Sequence, residues 1–285
     1  MARPVSPVVQ GWMLGVRLRQ YRDQSGLTAT EVGKRIGCSQ AHISVIESGK
    51  PKLTQDRLTQ LAELYDVGST TAKELETLRR EATSRAWWHE YSGFFSEQLQ
   101  RFFGYEAGAE HVRGYHSELV HGLLQTEDYA RAIIRGGSPH VRLTEVDRRV
   151  EARMIRQQLL TDSNPLHVTS ILSESAIRQQ IGGAATMRAQ LRHLVSLAEE
   201  HPHVTLHVLP FSAGTHPSIG APYQILSFTS GLLHDIVWQE ILTSTDIVDQ
   251  PNKVTEYVMT FHETARLALD EGESLDLITR VAGEL

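Results

Sequence analysis

The 285-residue sequence predicts a multidomain chain of mixed class, an all-α head followed by a larger α+β domain with a small mixed sheet. Through the first 85 residues apolar side chains recur at helical spacing, whereas beyond residue 85 short β-rich runs interrupt helical stretches. At 40% apolar content, a chain of this length has enough material for two cores.

The elements follow in order. Residues 1–10, with Pro4 and Pro7, are expected to form a flexible arm. Leu14, Leu18 and Tyr21 then make an i, i+4, i+7 stripe on a first helix. Thr28 followed by Glu31 reads as a capping box opening a second helix. Val32, Ile36, Cys38, Ile43 and Ile46 are apolar, and Gly33 is small where one helix must pass closely over another. Gly37 stands where the second helix has to stop, since a residue without Cβ takes the left-handed conformation at little cost. Ser39 then caps the next helix, worth roughly 1 kcal/mol. Leu58, Leu61, Ala62 and Tyr65 stripe a further helix. Two short helices crossing at a tight turn, over residues 26–49, form a helix-turn-helix, whose second helix enters the major groove of DNA. This domain is expected over residues 11–70, with a connecting helix over 71–85 carrying Leu75 and Leu78.

Net charge is −6, which taken alone argues against a nucleic-acid partner. Its distribution argues the other way. Residues 1–66 hold nine Lys or Arg against six Asp or Glu, net +3, and the remainder holds 19 against 28, net −9. A basic head on an acidic body is the asymmetry expected when one end touches phosphate and the other does not. The phosphate-contact candidates are Arg17, Arg19, Lys50 and Lys52, with the N-cap residues Thr28 and Ser39. The lone cysteine, Cys38, excludes an internal disulfide and fits a reducing cytoplasm. Neither a secretory leader nor a run of roughly 18 apolar residues is evident, so a cytoplasmic protein is expected.

The strings LRQYRDQSGLT, IGCSQAHIS and IESGK, within residues 12–67, resemble the repressor-type helix-turn-helix domains of the xenobiotic-response-element (XRE) family. That resemblance implies a homodimer reading an imperfect palindrome in double-stranded DNA, with a recognition helix starting near Ser39. It places Gln40 at a base-reading position, where an amide bonds adenine N6 and N7 together. Ala41, His42 and Ser44 match positions that also face the groove. Where many members carry a phosphate-binding Gln near the start of the second helix, this chain has Ala29.

The second domain is expected over residues 86–285. Helical stretches near 96–114, 127–135, 144–160, 184–200 and 252–270 surround strand-like runs at 166–172, 204–210, 223–228 and 235–241. The first two runs have the separation of parallel neighbours, and the last three are close enough to pair antiparallel. AWWHEYS, ELVHGLLQTEDYARA, VDRRVEAR, HVLPFSAG and DIVWQEIL resemble the C-terminal domain of a group of actinobacterial transcriptional regulators often labelled antitoxin-like. That resemblance implies a small acidic partner protein, separately encoded. It also leaves a rival reading, a protein-interaction module that sequesters the partner and autoregulates its own operon. Two departures from the pattern are His121, in place of the Pro of a P-G-L-L-Q-T segment, and Gly108, which interrupts a normally charged helix.

An enzyme is not expected. His201, His203 and His207 are close in sequence, but Pro202 breaks the run and no Cys or carboxylate completes a ligand set. SFTSG lacks the first glycine of a nucleophile elbow. No cofactor or metal is therefore expected. Glu174 at the end of one strand, Glu240 in another, and the aromatics Phe211 and Trp238 make up the candidate effector or partner pocket. The aromatic run of Trp87, Trp88, Phe94, Phe95, Phe102 and Phe103 is expected to be core or interface.

Overall fold

Short-range caps decide where the helices of the head begin. In the computed structural model, which describes residues 5–49, 53–137, 141–241 and 244–285, the head contains five helices. They are α1 (Pro7–Gln24), α2 (Ala29–Ile36), α3 (Gln40–Glu47), α4 (Gln55–Leu64) and α5 (Ser69–Ala82). Residues 7–10, predicted to lie in a flexible arm, are instead the first turn of α1. Ser6 accepts the Val9 N–H at 3.4 Å, and Pro7 sits at N1, where its missing N–H costs nothing. The Thr28–Glu31 capping box is formed in both directions, and Gly37 ends α2 at φ 72°.

The interior of the head is apolar. Leu14 and Leu18 from α1 pack with Val32, Ile43, Ile46, Leu58 and Leu61 from the next three helices. Each fully buried side chain of this size contributes about 1.5–3 kcal/mol. The helix predicted as a connector over 71–85 is α5, an integral part of the head: it packs along α1 and buries Leu75 and Leu78 in the same core. Two backbone approaches need glycine. A Cβ on Gly33 would lie 2.6 Å from Cys38 O, and one on Gly15 would lie 2.5 Å from Glu47 O.

The contacts divide the chain into two compact units, residues 5–89 with 230–233, and residues 90–229 with 234–285. The second unit runs α6 (Glu97–Gly108), β1 (His111–His116), α7 (Glu127–Gly137), α8 (Leu143–Arg156), β2 (His167–Ser173), α9 (Glu174–Arg178) and α10 (Ala184–Glu200). It continues with β3 (Val204–Leu209), β4 (Tyr223–Ser227), β5 (Ile236–Ile241), β6 (Ser244–Val248), α11 (Pro251–Leu267) and α12 (Glu271–Glu284). The sheet is mixed and six-stranded, in the order β3-β2-β1-β4-β5-β6. β1, β2 and β3 are mutually parallel, and β4, β5 and β6 add on antiparallel.

Two strands were not expected, and one of them reorganises the sheet. The helix predicted to run to residue 114 stops at Gly108, and HVRGYH forms β1 between β2 and β4. The run at 204–210 therefore pairs with β2 and not antiparallel with β4, as the sequence spacing had implied. One face of the sheet, with Tyr115, Ile171, Tyr223, Ile225 and Val237, packs on Val254 and Phe261 of α11. On β5, Trp238 stacks on Phe102 of α6 at 4.5 Å between ring centroids.

Candidate functional site

Helix α3 is amphipathic in the sense a groove-reading helix requires. Ile43 and Ile46 are buried, while Gln40, Ala41, His42 and Ser44 are all exposed. Ser39 accepts the His42 N–H at 3.1 Å and so fixes the first turn. The Gln40 carboxamide leans on the Ser44 hydroxyl at 3.4 Å, one turn along the same exposed face. On the other side, Arg22 clamps α3 to α1 with a bidentate pair to Glu47, at 2.6 and 3.0 Å, and donates to Leu27 O ahead of α2. These bonds to Glu47 hold the Arg22 guanidinium even more firmly protonated than usual.

Val45 shares this exposed side of α3 although no motif singles it out. It is 43% exposed on α3, one turn from Ala41, so the two make an apolar strip within an otherwise polar face. An exposed β-branched residue on this helix suits the methyl group of thymine, the one apolar feature of the major groove. The signal was legible: Ile43 and Ile46 already fix which side of α3 faces the core.

The predicted phosphate contacts divide. Arg19 is 68% exposed and reaches Asp23 only at 4.0 Å, so it is available to a phosphate. Arg17 is bound to Glu74 of α5 at 2.8 Å and serves within the head. Thr28 is likewise occupied, since its N–H and its hydroxyl both donate to Glu31 Oε2 at 2.8 Å. That carboxylate sits where a phosphate would meet the N-terminus of α2, and it is held below the usual carboxylate range by the Thr28 bonds, so it is ionised and opposes a second anion. Ser39 uses its hydroxyl as a cap but remains exposed. Lys50 and Lys52 lie outside the described residues. Lys34 and Arg35, exposed in the last turn of α2 just before the turn into α3, are cations that the sequence reading passed over.

The candidate pocket of the second domain is not assembled. Glu174 opens α9, where it pairs with Arg178 at 2.6 Å and accepts the Phe211 N–H at 2.8 Å, and Arg178 reaches Glu284 on α12. It ties loops together. Glu240 lies on β5, three strand positions from β2, which puts it about 14 Å away at the usual strand spacing. Trp238 is buried against Phe102 and Phe211 is 61% exposed, so neither aromatic joins a pocket with the carboxylates. The aromatic run divides as well. Trp87 and Trp88 meet edge-on within the first unit, while Phe103 contacts both Phe95 and Phe102 in the second. The histidines weighed as metal ligands are used otherwise. His203 bonds Leu160 O at 2.8 Å and His207 bonds Leu269 O at 2.9 Å.

Residues 99–280, well over half of the chain, match the family described as Domain of unknown function (DUF5753). The chain belongs to the DUF5753 family. Residues 13–78 match a Helix-turn-helix domain. No curated protein and no solved structure matches the chain. The head is therefore a helix-turn-helix domain, which points to a DNA-binding regulator, and the sheet-containing unit is the DUF5753 domain. No helix among the described residues is long and apolar enough to cross a membrane.

Within its apolar interior the DUF5753 domain also buries a polar network. Glu106 of α6 is fully enclosed and takes a bidentate bond from Arg156 of α8, both contacts at 2.7 Å. The Arg156 guanidinium also lies 4.9 Å from the ring centroid of Phe103. His121 donates from Nε2 to Gln224 Oε1 at 2.9 Å and accepts the Leu123 N–H at Nδ1. Its ring stands 4.9 Å from that of His116. Burial pushes both imidazoles down, His121 to about 4, so both are neutral near pH 7. Gln125 and Gln190 satisfy Val120 O and Leu124 O at 2.7 Å each, and so shape the segment around residues 120–126. No short-range pattern announces this network, because Glu106 and Arg156 are fifty positions apart.

Proposed function

We propose that this chain is a sequence-specific transcriptional regulator that binds an imperfect palindrome as a homodimer, with the DUF5753 domain acting as its sensor. The observation that carries the reading is the exposed face of α3, where Gln40, Ala41, Ser44 and Val45 are free of the core while Arg22 and Glu47 hold the helix rigidly behind them. A rigid scaffold behind an exposed polar row is what base reading needs. One head offers few base contacts, so two heads are required, on half-sites about 34 Å apart. Function as a repressor or autoregulator in the cytoplasm, of the XRE type and without catalysis, fits this arrangement.

The test is selection of bound fragments from genomic DNA, followed by footprinting and substitution. Two symmetric protected patches on one face of the duplex are expected. Gln40→Ala should weaken the selected site by about 1–3 kcal/mol and random DNA far less. Equal losses on both would remove Gln40 from base reading, and no enrichment at all would remove the function. The same selection repeated with a small acidic protein encoded next to the gene distinguishes sensing from sequestration. A partner that binds tightly yet leaves DNA affinity unchanged makes the DUF5753 domain an independent interaction module.

A further inference from the structure

The structure assigns a small-ligand site to a cleft in the DUF5753 domain, between the start of β5 and the first turns of α11, suited to a compact, uncharged apolar molecule with one N–H or O–H donor. The cleft encloses about 260 Å³. That is just below the roughly 300–1,000 Å³ of drug-sized sites, which fits a smaller molecule. His234 and Asp235 line one side, and Pro251, Val254, Thr255 and Val258 line the other. Those four positions stand at i, i+3, i+4 and i+7, a single face of α11. Val254 is buried in the core between α11 and the sheet, and Val258 packs against that core. Thr255 donates its hydroxyl to Pro251 O at 2.9 Å, so this wall offers a ligand no side-chain donor. An apolar body laid on it gains burial.

The opposite wall supplies a polar anchor. Arg113 Nη2 and Ser227 Oγ both donate to the same oxygen of Asp235, Oδ2, at 2.9 Å each. Among the described residues nothing donates to Oδ1, so the carboxylate keeps one acceptor for a ligand. Its charge is already balanced by Arg113, and the first turn of α11, the positive end of the helix dipole, borders the same cleft. An ammonium therefore gains little there, whereas an uncharged donor gains the hydrogen bond.

A second cleft, between α7 and α8, is larger, about 360 Å³, but offers no such anchor. Arg131 there already bonds both Glu127 and Asp147, and Arg148 bonds Glu151, so each carboxylate is paired.

The site gives the sensing role a ligand class, and it rests on that role only for its consequence on DNA. His234 directly follows residues 230–233, which belong to the first unit, so a ligand held here touches the point where the chain returns to the DUF5753 domain. Binding is measured without DNA, so failure of one is distinguishable from failure of the other. The probe is indole, an uncharged fused ring with one N–H, and its control is benzofuran, which has oxygen in place of that N–H. Each is titrated into the full chain and followed by saturation-transfer NMR on the ligand resonances. Indole should bind, and benzofuran should bind roughly threefold to tenfold more weakly, the worth of one hydrogen bond. Thr255→Phe, at an exposed position of α11, puts a ring into the cleft and should abolish indole binding with little change in Tm. Should that variant unfold, the ratio of the two wild-type affinities still decides. Equal affinities for the two probes, no binding of indole, or undiminished binding to folded Thr255→Phe each overturns the site. Indole that binds with the expected ratio yet leaves affinity for the selected DNA unchanged upholds the site and removes only the sensing role.

Discussion

The two units share an apolar interior but differ in the charges they bury. The head encloses aliphatic side chains and keeps its charges near the surface; even the Arg22–Glu47 clamp retains 12% and 10% side-chain exposure. The DUF5753 domain encloses a fully buried carboxylate, its arginine and two neutral histidines. Desolvating such groups costs several kcal/mol per ion, and the interior recovers it only where every donor and acceptor is matched. The head therefore does its chemistry outward, on whatever meets α3. The DUF5753 domain holds ionisable groups inside, so its stability should respond to solution conditions that leave the head unaffected.

The sharpest way to break this contrast is Glu106→Gln. Removing the charge strands Arg156 in the interior and should cost the DUF5753 domain about 3–5 kcal/mol in denaturant unfolding, with little change in the head. A loss below ~1 kcal/mol would show that the pair is hydrated in solution and that the contrast is overdrawn.

Acid should separate the units next. His121 titrates near its ordinary 6.5 in the unfolded chain but at about 4 when folded, and His116 is shifted the same way. The groups facing His121 are Glu106, which favours its charged form, and Arg153, Arg156 and His116, which oppose it. Both imidazoles are neutral in both states above pH 6.5, so nothing is lost there. As pH falls from 6.5 toward 4 the unfolded state takes up the proton first, and His121 alone should destabilise the domain by ~3 kcal/mol across that window. His121→Gln should flatten the slope of stability against pH. An unchanged slope would place the titrating groups elsewhere.

Two smaller effects probe the head. Thr28→Ala removes the cap of α2 and should lower head stability by about 1 kcal/mol while leaving the salt dependence of DNA binding as it was, because Thr28 is committed to Glu31. A change of about one unit in that salt slope would restore Thr28 to the phosphate contacts. Replacing thymine by uracil at each position of the selected DNA should cost about 0.8 kcal/mol where Val45 meets a methyl, and nothing there for Val45→Ala. If no position shows that dependence, the apolar strip on α3 does not read sequence.

The head was legible because its rules are local. Thr28 and Glu31, Gly37 and Ser39 act within three residues of one another, and each did what its spacing implied. Its errors came where two local rules competed: Pro7 reads as a helix breaker, yet after Ser6 it begins a helix. The DUF5753 sheet was legible only in part. β1 carries Gly114, Arg113 and His116 in six residues, a poor strand by propensity, yet its place between β2 and β4 supplies the pairing that propensity lacks. Missing β1 also misplaced β3, which is close in sequence to β4 but lies three positions from it in the sheet. The buried ion pair was illegible for the same reason, as only the fold brings α6 to α8.

The stacking of Trp238 on Phe102 has an optical consequence. The chain contains four tryptophans, and Trp12, Trp87 and Trp88 all belong to the first unit, leaving Trp238 alone in the DUF5753 domain. Trp238 is 3% exposed, so its indole emits from a dry, apolar environment and shifts to longer wavelength when water reaches it. Replacing the other three by phenylalanine leaves an intrinsic fluorophore that reports the melting of one domain without signal from the other.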